Sequence, residues 1–261
     1  MNRSWLTGFA LLAVAALPQV GFGQTSWSDS FPGGIPQQSW SLAANGPSGE
    51  AQTYGSGFTT LSGNGAGAVF ASVSSPTFSG STGVTIRATI NPNASTQSVA
   101  NGVLAATNLA FGNAYTATIT MGGSGFLEIQ RNSFGSATQI ASTGSAFTPG
   151  FDGLSSYVLE LVVAPSSSLI TANAYDSTGT TLLNSISAVD GSPLTGSYTA
   201  GLLMQRNNPG LVQGTFGNVT AVGVPEPSTV ALAVVGAAGL VGLGGWRRLR
   251  SRQADGDGAA S

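Results

Sequence analysis

The 261-residue chain contains no cysteine, no histidine and no lysine, and only 7% of its residues are charged. An average globular protein carries about 25% charged residues. Without cysteine no disulfide can form, although an exported protein would meet an oxidising environment. Without cysteine or histidine the chain cannot build a Ser-His-Asp triad, a Cys-His nucleophile or the usual zinc site with nitrogen and sulfur ligands.

The body of the chain has no basic patch. Eight arginines and ten acidic residues give a formal net charge of −2. Residues 24–223 contain no cluster of arginines, and nucleic-acid binding needs such a basic patch. No glycine-rich segment is followed by Lys-Ser or Lys-Thr at phosphate-loop spacing. We therefore expect no nucleic-acid partner.

The sequence also lacks the aligned carboxylates of a polysaccharide hydrolase. Glycoside hydrolysis requires two carboxyl groups at the scissile bond. Glu128 lies between Leu127 and Ile129, and Glu160 is flanked by apolar residues. A lone acid in such a strand is typical of a solvated outer face. The sequence thus predicts no catalytic residues and no enzyme.

Both ends of the chain carry apolar segments. At the N-terminus, Arg3 precedes the apolar stretch Trp5–Leu17, and small residues follow at Gly21 and Gly23. A positive start, a short apolar core and small residues before a cleavage site are typical of a secretory signal peptide. We therefore predict a signal peptide over residues 1–23.

Near the C-terminus, Thr229–Trp246 is 18 residues without a charge. A helix of that length spans roughly 27 Å, close to the hydrocarbon core of a bilayer. We predict a transmembrane helix over residues 228–246, followed by an arginine cluster and a short polar tail over 253–261. The cluster consists of Arg247, Arg248, Arg250 and Arg252. By the positive-inside rule the cluster stays cytoplasmic, so residues 24–223 are extracytoplasmic.

The segment before that helix is Val224-Pro-Glu-Pro-Ser-Thr229. Residues 224–252, with this strip, the apolar run and the arginines, resemble the PEP-CTERM sorting domain of Gram-negative bacteria. The resemblance implies that Pro225, Glu226 and Pro227 form the recognition site of an exosortase, a membrane transpeptidase. It implies a membrane-bound intermediate that is then passed to the cell envelope or to an extracellular polysaccharide matrix. Two prolines hold Glu226 in an extended, accessible backbone.

The body between these signals reads as β-strand throughout. In Val84–Ile90, apolar residues alternate with Thr and Arg, as in a half-buried strand. About a dozen such segments are separated by Gly, Pro, Asn and Ser turns. They are predicted at 57–62, 68–73, 83–90, 101–110, 115–121, 125–131, 137–142, 157–163, 168–175, 180–188, 198–205 and 214–222. The pattern predicts an all-β, antiparallel β-sandwich or jelly roll over residues 24–223.

A second resemblance covers most of Trp27–Val222. The body opens with Trp27-Ser-Asp-Ser-Phe31 and Trp40, continues with Tyr157–Gly179, and closes with Phe216-Gly-Asn-Val219. This order is similar to concanavalin A-like, laminin-G-type jelly rolls, although the closing motif lacks their aspartate. The resemblance implies a curved sheet that binds sugars, in some members with calcium.

Two sets of residues are candidates for a binding site. Tyr54, Phe134 and Phe151 lie in Gly/Ser-rich loops and are candidates for stacking on a sugar, or else they cap the core. Asp152, Asp176 and Asp190 are the candidates for calcium ligands, which must be oxygens from loops. Aspartates in such loops also stabilise turns.

The sequence therefore predicts an exported, non-enzymatic protein of the cell surface or of the extracellular polysaccharide matrix, which binds glycan there. Two alternatives stay open: a polysaccharide-active hydrolase of concanavalin A-like fold, and a structural matrix component without a ligand site.

Overall fold

The computed structural model describes residues 25–46, 48–79, 83–91, 99–108, 113–121, 126–133, 136–143, 155–164, 168–206 and 211–224. They form fifteen strands and one 3-10 turn at Pro32–Gly34. The strands are β1 Ser26–Asp29, β2 Trp40–Asn45, β3 Ser48–Gly55, β4 Phe58–Asn64, β5 Gly67–Phe78, β6 Val84–Asn91, β7 Val99–Asn108, β8 Asn113–Met121, β9 Leu127–Ser133, β10 Ser136–Ser142, β11 Tyr157–Val163, β12 Leu169–Tyr175, β13 Leu182–Val189, β14 Tyr198–Arg206 and β15 Leu211–Gly223.

The strands build two antiparallel sheets. Sheet A has eight strands in the order β13-β12-β11-β6-β15-β4-β3, with β1 paired to β15. Sheet B has seven strands in the order β10-β9-β8-β7-β14-β5-β2. The prediction of an all-β, antiparallel two-sheet sandwich is confirmed, and each of the twelve predicted strands overlaps a strand of the structure.

One apolar core lies between the sheets, because alternate residues of each strand face inward. On β6 the inward residues are Val84, Ile86, Ala88 and Ile90, all fully buried. On sheet B, Ile119 of β8 and Ile129 of β9 are equally buried and belong to the same core cluster. Each buried Ile or Leu side chain contributes about 1.5–3 kcal/mol relative to an exposed one. The threonines and Arg87 of β6 face outward from sheet A.

The first strand is fixed by a buried carboxylate. Asp29 is fully buried, and its oxygens accept hydrogen bonds from the amides of Phe31 (3.0 Å), Gln37 (3.0 Å) and Gln38 (3.1 Å) and from the indole of Trp40 (2.9 Å). These bonds hold Phe31 in a left-handed conformation, with φ 50°. Asp29, Phe31 and Trp40 therefore form one packing unit.

The long strand β15 lies inside sheet A and connects its parts. It pairs with β6 on one side, and on the other with β4 and then β1. A bulge between Gly217 and Thr220 bends the strand, and Asn218 takes φ 45° there. Asparagine tolerates this left-handed conformation better than most residues. The Gly223 amide donates to the Thr25 carbonyl at 2.8 Å, so the two ends of the body lie side by side.

The outer face of sheet B differs from that of sheet A. It carries a second cluster of buried apolar side chains, namely Ala68, Phe70, Leu104, Ala106, Ala114 and Leu203. Two glycines leave no room for a side chain on this face. A Cβ on Gly102 would lie 2.2 Å from the Ala117 carbonyl oxygen, and one on Gly201 would lie 2.1 Å from that of Ala71.

The predicted signal peptide 1–23, transmembrane helix 228–246, arginine cluster and tail lie outside the described residues. Within the ranges given above, no helix is long and apolar enough to cross a membrane.

Candidate functional site

Most of the residues selected from the sequence lie outside the described part of the chain. These are Phe134, Phe151, Asp152, Pro225, Glu226, Pro227, Arg247, Arg248, Arg250 and Arg252. Their roles stay predictions. Three of the candidates, Tyr54, Asp176 and Asp190, have described surroundings.

Tyr54 lies in strand β3, paired with Thr59 of β4, so its placement in a loop was wrong. Its ring packs onto the aromatic group around Asp29. Its ring centroid lies 5.9 Å from that of Phe31, which lies 6.0 Å from that of Trp40. Burial, and then the charge of Asp29, raise the pKa of the Tyr54 hydroxyl. Tyr54 therefore caps the core, which is one of the two roles expected from the sequence, and its contact with a sugar stays a prediction.

Asp176 begins the exposed turn between β12 and β13. Its Oδ1 accepts hydrogen bonds from the Thr178 hydroxyl (2.8 Å) and the amides of Thr180 (3.1 Å) and Thr181 (3.3 Å). These bonds, that of Thr178 first, lower the pKa of Asp176 to about 2. The carboxylate therefore stays ionised and stabilises a turn.

Asp190 follows β13 and is buried. Its oxygens accept from the Tyr115 hydroxyl (2.7 Å), Arg131 Nη1 (3.2 Å) and the Ser192 amide (2.9 Å). Burial alone would raise the pKa of Asp190, but these three donors lower it overall. The Leu194 amide in turn donates to the Tyr115 oxygen at 2.8 Å. Asp190 thus holds the segment that leads from sheet A to β14 of sheet B.

The two aspartates lie at opposite ends of β13. A strand rises about 3.3 Å per residue, so the length of Leu182–Val189 separates them by roughly 23 Å. They therefore cannot bind one calcium ion together. Across the described ranges, no group of three or more acidic, His or Cys residues is placed to hold a metal ion.

A different set of residues forms a polar cluster on the outer face of sheet A. Arg87 of β6, Glu160 of β11, Asn173 of β12 and Ser185 of β13 stand side by side, since Glu160 is opposite both Arg87 and Asn173, and Asn173 is opposite Ser185. Tyr175 follows on β12. These five residues are here named the Glu160 cluster.

Hydrogen bonds fix the acidic half of the cluster. Glu160 Oε1 accepts from Asn173 Nδ2 (2.8 Å) and from the Tyr175 hydroxyl (3.1 Å). The Ser185 hydroxyl donates to Asn173 Oδ1 at 2.6 Å, which sets the orientation of the amide. None of the described residues donates to Oε2 of Glu160. That oxygen is an acceptor held in a fixed position on a half-buried side chain.

The basic half is fixed by the turn that Asp176 stabilises. Arg87 Nη2 donates to the Gly179 carbonyl, and the guanidinium lies over the Tyr175 ring, 4.7 Å from its centroid. A cation placed over an aromatic ring in this way is attracted by about 0.5–1 kcal/mol at an exposed site. Burial, and then Glu160, raise the pKa of Tyr175, so its hydroxyl remains a donor at neutral pH.

The Glu160 cluster offers hydrogen-bonding groups to a ligand, and Glu160 is the one carboxylate among its five residues. It offers a carboxylate, an amide, two hydroxyls and a guanidinium within four neighbouring strands. Such groups donate to and accept from hydroxyl groups of a ligand. The sequence placed Glu160 on the outer face, but it gave no sign of the neighbours, because these depend on the register between distant strands.

Comparison with known proteins adds a fold-level relationship. No family model and no curated protein matches the sequence. Among solved structures, the carbohydrate recognition domain of Emp47p matches with a TM-score of 0.54 at 12% identity, over 77% of this chain and 97% of that one.

Two further structures are similar. Arcelin-5, a lectin-like defense protein from Phaseolus vulgaris, matches with a TM-score of 0.52 at 11% identity, over 78% of this chain and 99% of that one. The exoplasmic/lumenal domain of VIP36, in its Ca²⁺/Man3GlcNAc-bound form, matches with a TM-score of 0.50 at 10% identity, over 75% and 86%. At these identities the likeness shows a lectin-like β-sandwich fold and nothing finer.

Proposed function

We propose that this protein is an exported, non-enzymatic carbohydrate-binding protein, and that the Glu160 cluster is its binding site. The observation that carries the proposal is Oε2 of Glu160, a carboxylate oxygen without a donor among the described residues, held beside an arginine and a tyrosine. A sugar hydroxyl is a donor that fits this acceptor. Charge-assisted hydrogen bonds of this kind contribute about 1.5–3 kcal/mol each.

The similar structures support this class of ligand. Emp47p matches through its carbohydrate recognition domain, and VIP36 through a form bound to Ca²⁺ and Man3GlcNAc. What they bind is carried over to this chain as part of the proposal only. Calcium is compatible with it, with Asp152 and other loop oxygens as the remaining candidate ligands, and chelation of the protein by EDTA tests that point.

Sorting completes the proposal. The resemblance of residues 224–252 to the PEP-CTERM domain supports export, a membrane-bound intermediate and processing by an exosortase-type enzyme at Pro225-Glu226-Pro227. The protein then reaches the cell envelope or the extracellular matrix, where polysaccharide is available as a binding partner. A hydrolase is less well supported, because a general acid needs a raised pKa. Among the described carboxylates, the pKa values of Asp176 and Asp190 are shifted, and both are lowered.

The test is binding of the exported protein to an array of polysaccharides. We expect Glu160→Gln to weaken binding at least tenfold, because the charge of the free acceptor is lost while the shape of the side chain is kept. Glu128→Gln is the matched control: Glu128 lies on the outer face of sheet B and accepts one hydrogen bond from Gln130 (3.0 Å). We expect that variant to bind as the wild type does.

Two results would contradict the proposal. If no polysaccharide binds, the protein is a structural component of the matrix. If reducing sugar is released from a bound polysaccharide and this release is lost in Glu160→Gln, the protein is a hydrolase.

A further inference from the structure

Exposed apolar side chains are concentrated at one edge of sheet A. Among the described residues, seven large hydrophobic side chains are exposed. Four of them lie on β12 and β13: Leu169 (42% exposed), Leu182 (52%), Leu183 (39%) and Val189 (71%). Leu169 is directly opposite Val189, so these two form a continuous apolar surface.

The strand at that edge has no charged residue and no proline to protect it against pairing. β13 is the terminal strand of sheet A, and its sequence, Leu-Leu-Asn-Ser-Ile-Ser-Ala-Val, contains no charge and no proline. Proteins usually guard an open edge with charged residues, especially lysine, with proline or with a bulge. The strand at the opposite edge, β3, carries Glu50 and a register shift between Ser48 and Ala51. β13 also has a register shift at its beginning, opposite Ala174 and Tyr175 of β12, and its residues from Asn184 to Val189 are regularly paired with β12.

We propose that β13 pairs antiparallel with β13 of a second copy of this chain. The faces of the strand determine the register. Ser185 and Ser187 face outward, whereas Ile186 packs against the core. To keep both faces of the sheet continuous, even-numbered residues must lie opposite even-numbered residues and odd-numbered opposite odd-numbered ones. Two such registers pair seven residues each. One places Ser185 opposite itself, which sets exposed Leu182 opposite Ala188 of the partner subunit, a residue that packs against the core. The register that we propose places Ile186 opposite itself, Ser185 opposite Ser187 of the partner subunit, and exposed Leu183 opposite exposed Val189 of the partner subunit.

A second copy fits this edge because the strand is complementary to itself. A two-fold axis at Ile186 brings apolar Leu183 against apolar Val189 and serine against serine, with no like charges facing one another. Such isologous pairing is the commonest form of self-association. The paired strands satisfy each other's outward backbone groups, as in β-augmentation.

Pairing also places two Glu160 clusters on one surface. Five strand spacings separate β11 from β11 of the partner subunit, which is about 24 Å at about 4.8 Å per spacing. Both clusters face the same side of the continuous sheet. A polymer with repeated sugars can then occupy both, and linked sites raise the apparent affinity without new contacts.

The chain has no cysteine, so introduced thiols test the register directly on the full-length protein in detergent. Ser185→Cys and Ser187→Cys variants, mixed and oxidised or treated with a short thiol-specific cross-linker, are expected to give a covalent dimer, several-fold more than either variant alone. Ser41→Cys, an exposed position on the edge strand β2 of sheet B, is the control and should give none. Absence of the mixed dimer, or equal cross-linking through Ser41→Cys, overturns the proposal.

A charge exchange tests the pairing independently. Leu183→Lys, added to the two cysteine variants, is expected to reduce the covalent dimer at least tenfold. Adding Val189→Glu to the same chains is expected to restore it, because residues 183 and 189 meet only between copies. Within one strand they are six residues, roughly 20 Å, apart. Leu42→Lys is the matched control, with 37% exposure against 39% for Leu183. Equal loss in this control, or no restoration by Val189→Glu, contradicts the model.

Discussion

At the scale of single residues, a buried carboxylate holds the beginning of the body in place. Asp29 accepts four hydrogen bonds from nitrogen donors and has no exposed surface. A buried ion is stable only when donors fill its lone pairs, and here they do. The hydrogen bonds bring Trp40 against the Phe31 ring. They thereby place the first residue of β2, in sheet B, next to the end of β1, in sheet A.

We expect Asp29→Asn to lower the free energy of unfolding by about 2–4 kcal/mol. The asparagine side chain has an NH2 group in place of one acceptor oxygen, so hydrogen-bond donors would face each other in a buried site. The measurement is chemical unfolding followed by tryptophan fluorescence. Asp176→Asn is the control, since Asp176 also accepts several bonds but is exposed to solvent. An equally large loss in the control would show that burial is not the cause.

At the scale of elements, the segment after β13 connects the two sheets through one ion pair and its neighbours. Arg131 of β9 and Tyr115 of β8 both bind Asp190, and the Tyr198 hydroxyl donates to the Leu194 carbonyl at 2.9 Å. Burial and then the bond to Asp190 raise the pKa of Tyr115, so its proton stays in place at neutral pH. Three strands of sheet B and the end of β13 thus share one hydrogen-bond network.

The pKa of Asp190 is lowered from its usual 3.8, so the folded state prefers the ionised form. The stability that this gives is present above about pH 4 and is lost as the pH falls through the lower folded-state pKa. We expect Asp190→Asn to flatten the stability profile below about pH 4. We also expect Asp190→Asn and Tyr115→Phe to be non-additive in a double-mutant cycle of unfolding free energies. If the two effects are additive, and if the unfolding free energy of Asp190→Asn depends on acid pH as that of the wild type does, the residues of the network are not coupled.

Where the sequence alternates clearly, it predicted both the strand and its inward face. Val84–Ile90 alternates along its whole length, and it is β6, with the predicted side inward. β1, β2 and β3 were not predicted. β3 carries Glu50, Gln52 and two glycines, and it exists because it pairs with β4 in a hairpin. Local propensity is overridden there by pairing.

The candidate site was predictable only in part. Flanking leucines place Glu160 on the outer face, and the structure agrees. Arg87, however, is far from Glu160 in the sequence, because the sheet B strands β7 to β10 lie between them in the chain. Only the antiparallel pairing of β6 with β11 brings the two residues together. Asp176 and Asp190 look equivalent as loop aspartates, but one is an exposed turn residue and the other a buried ion-pair partner.

At the scale of the whole molecule, the proposed sorting strip has a sharp test. Glu226→Gln keeps the size and polarity of the side chain but removes the charge that a cationic pocket would bind. In a host that has the sorting enzyme, we expect slow processing and a full-length membrane-bound form. The measurement is the mass and membrane partition of the variant. Glu50→Gln, an exposed acid on β3, should be processed normally. Equal release of Glu226→Gln would mean that the strip is only a linker.

The central position of β15 also bears on how the body carries mechanical load. A pull on the chain after Val224 enters along β15, which is held by β6 on one side and by β4 and β1 on the other. Antiparallel hydrogen bonds run perpendicular to the strands, so this force shears both rows of bonds together instead of opening them one at a time. From β15 the force reaches the Glu160 cluster through β6 and β11, the next strands in the sheet. A body held at its carboxyl end is therefore loaded along β15, where the hydrogen bonds to the strands on both sides resist the force together.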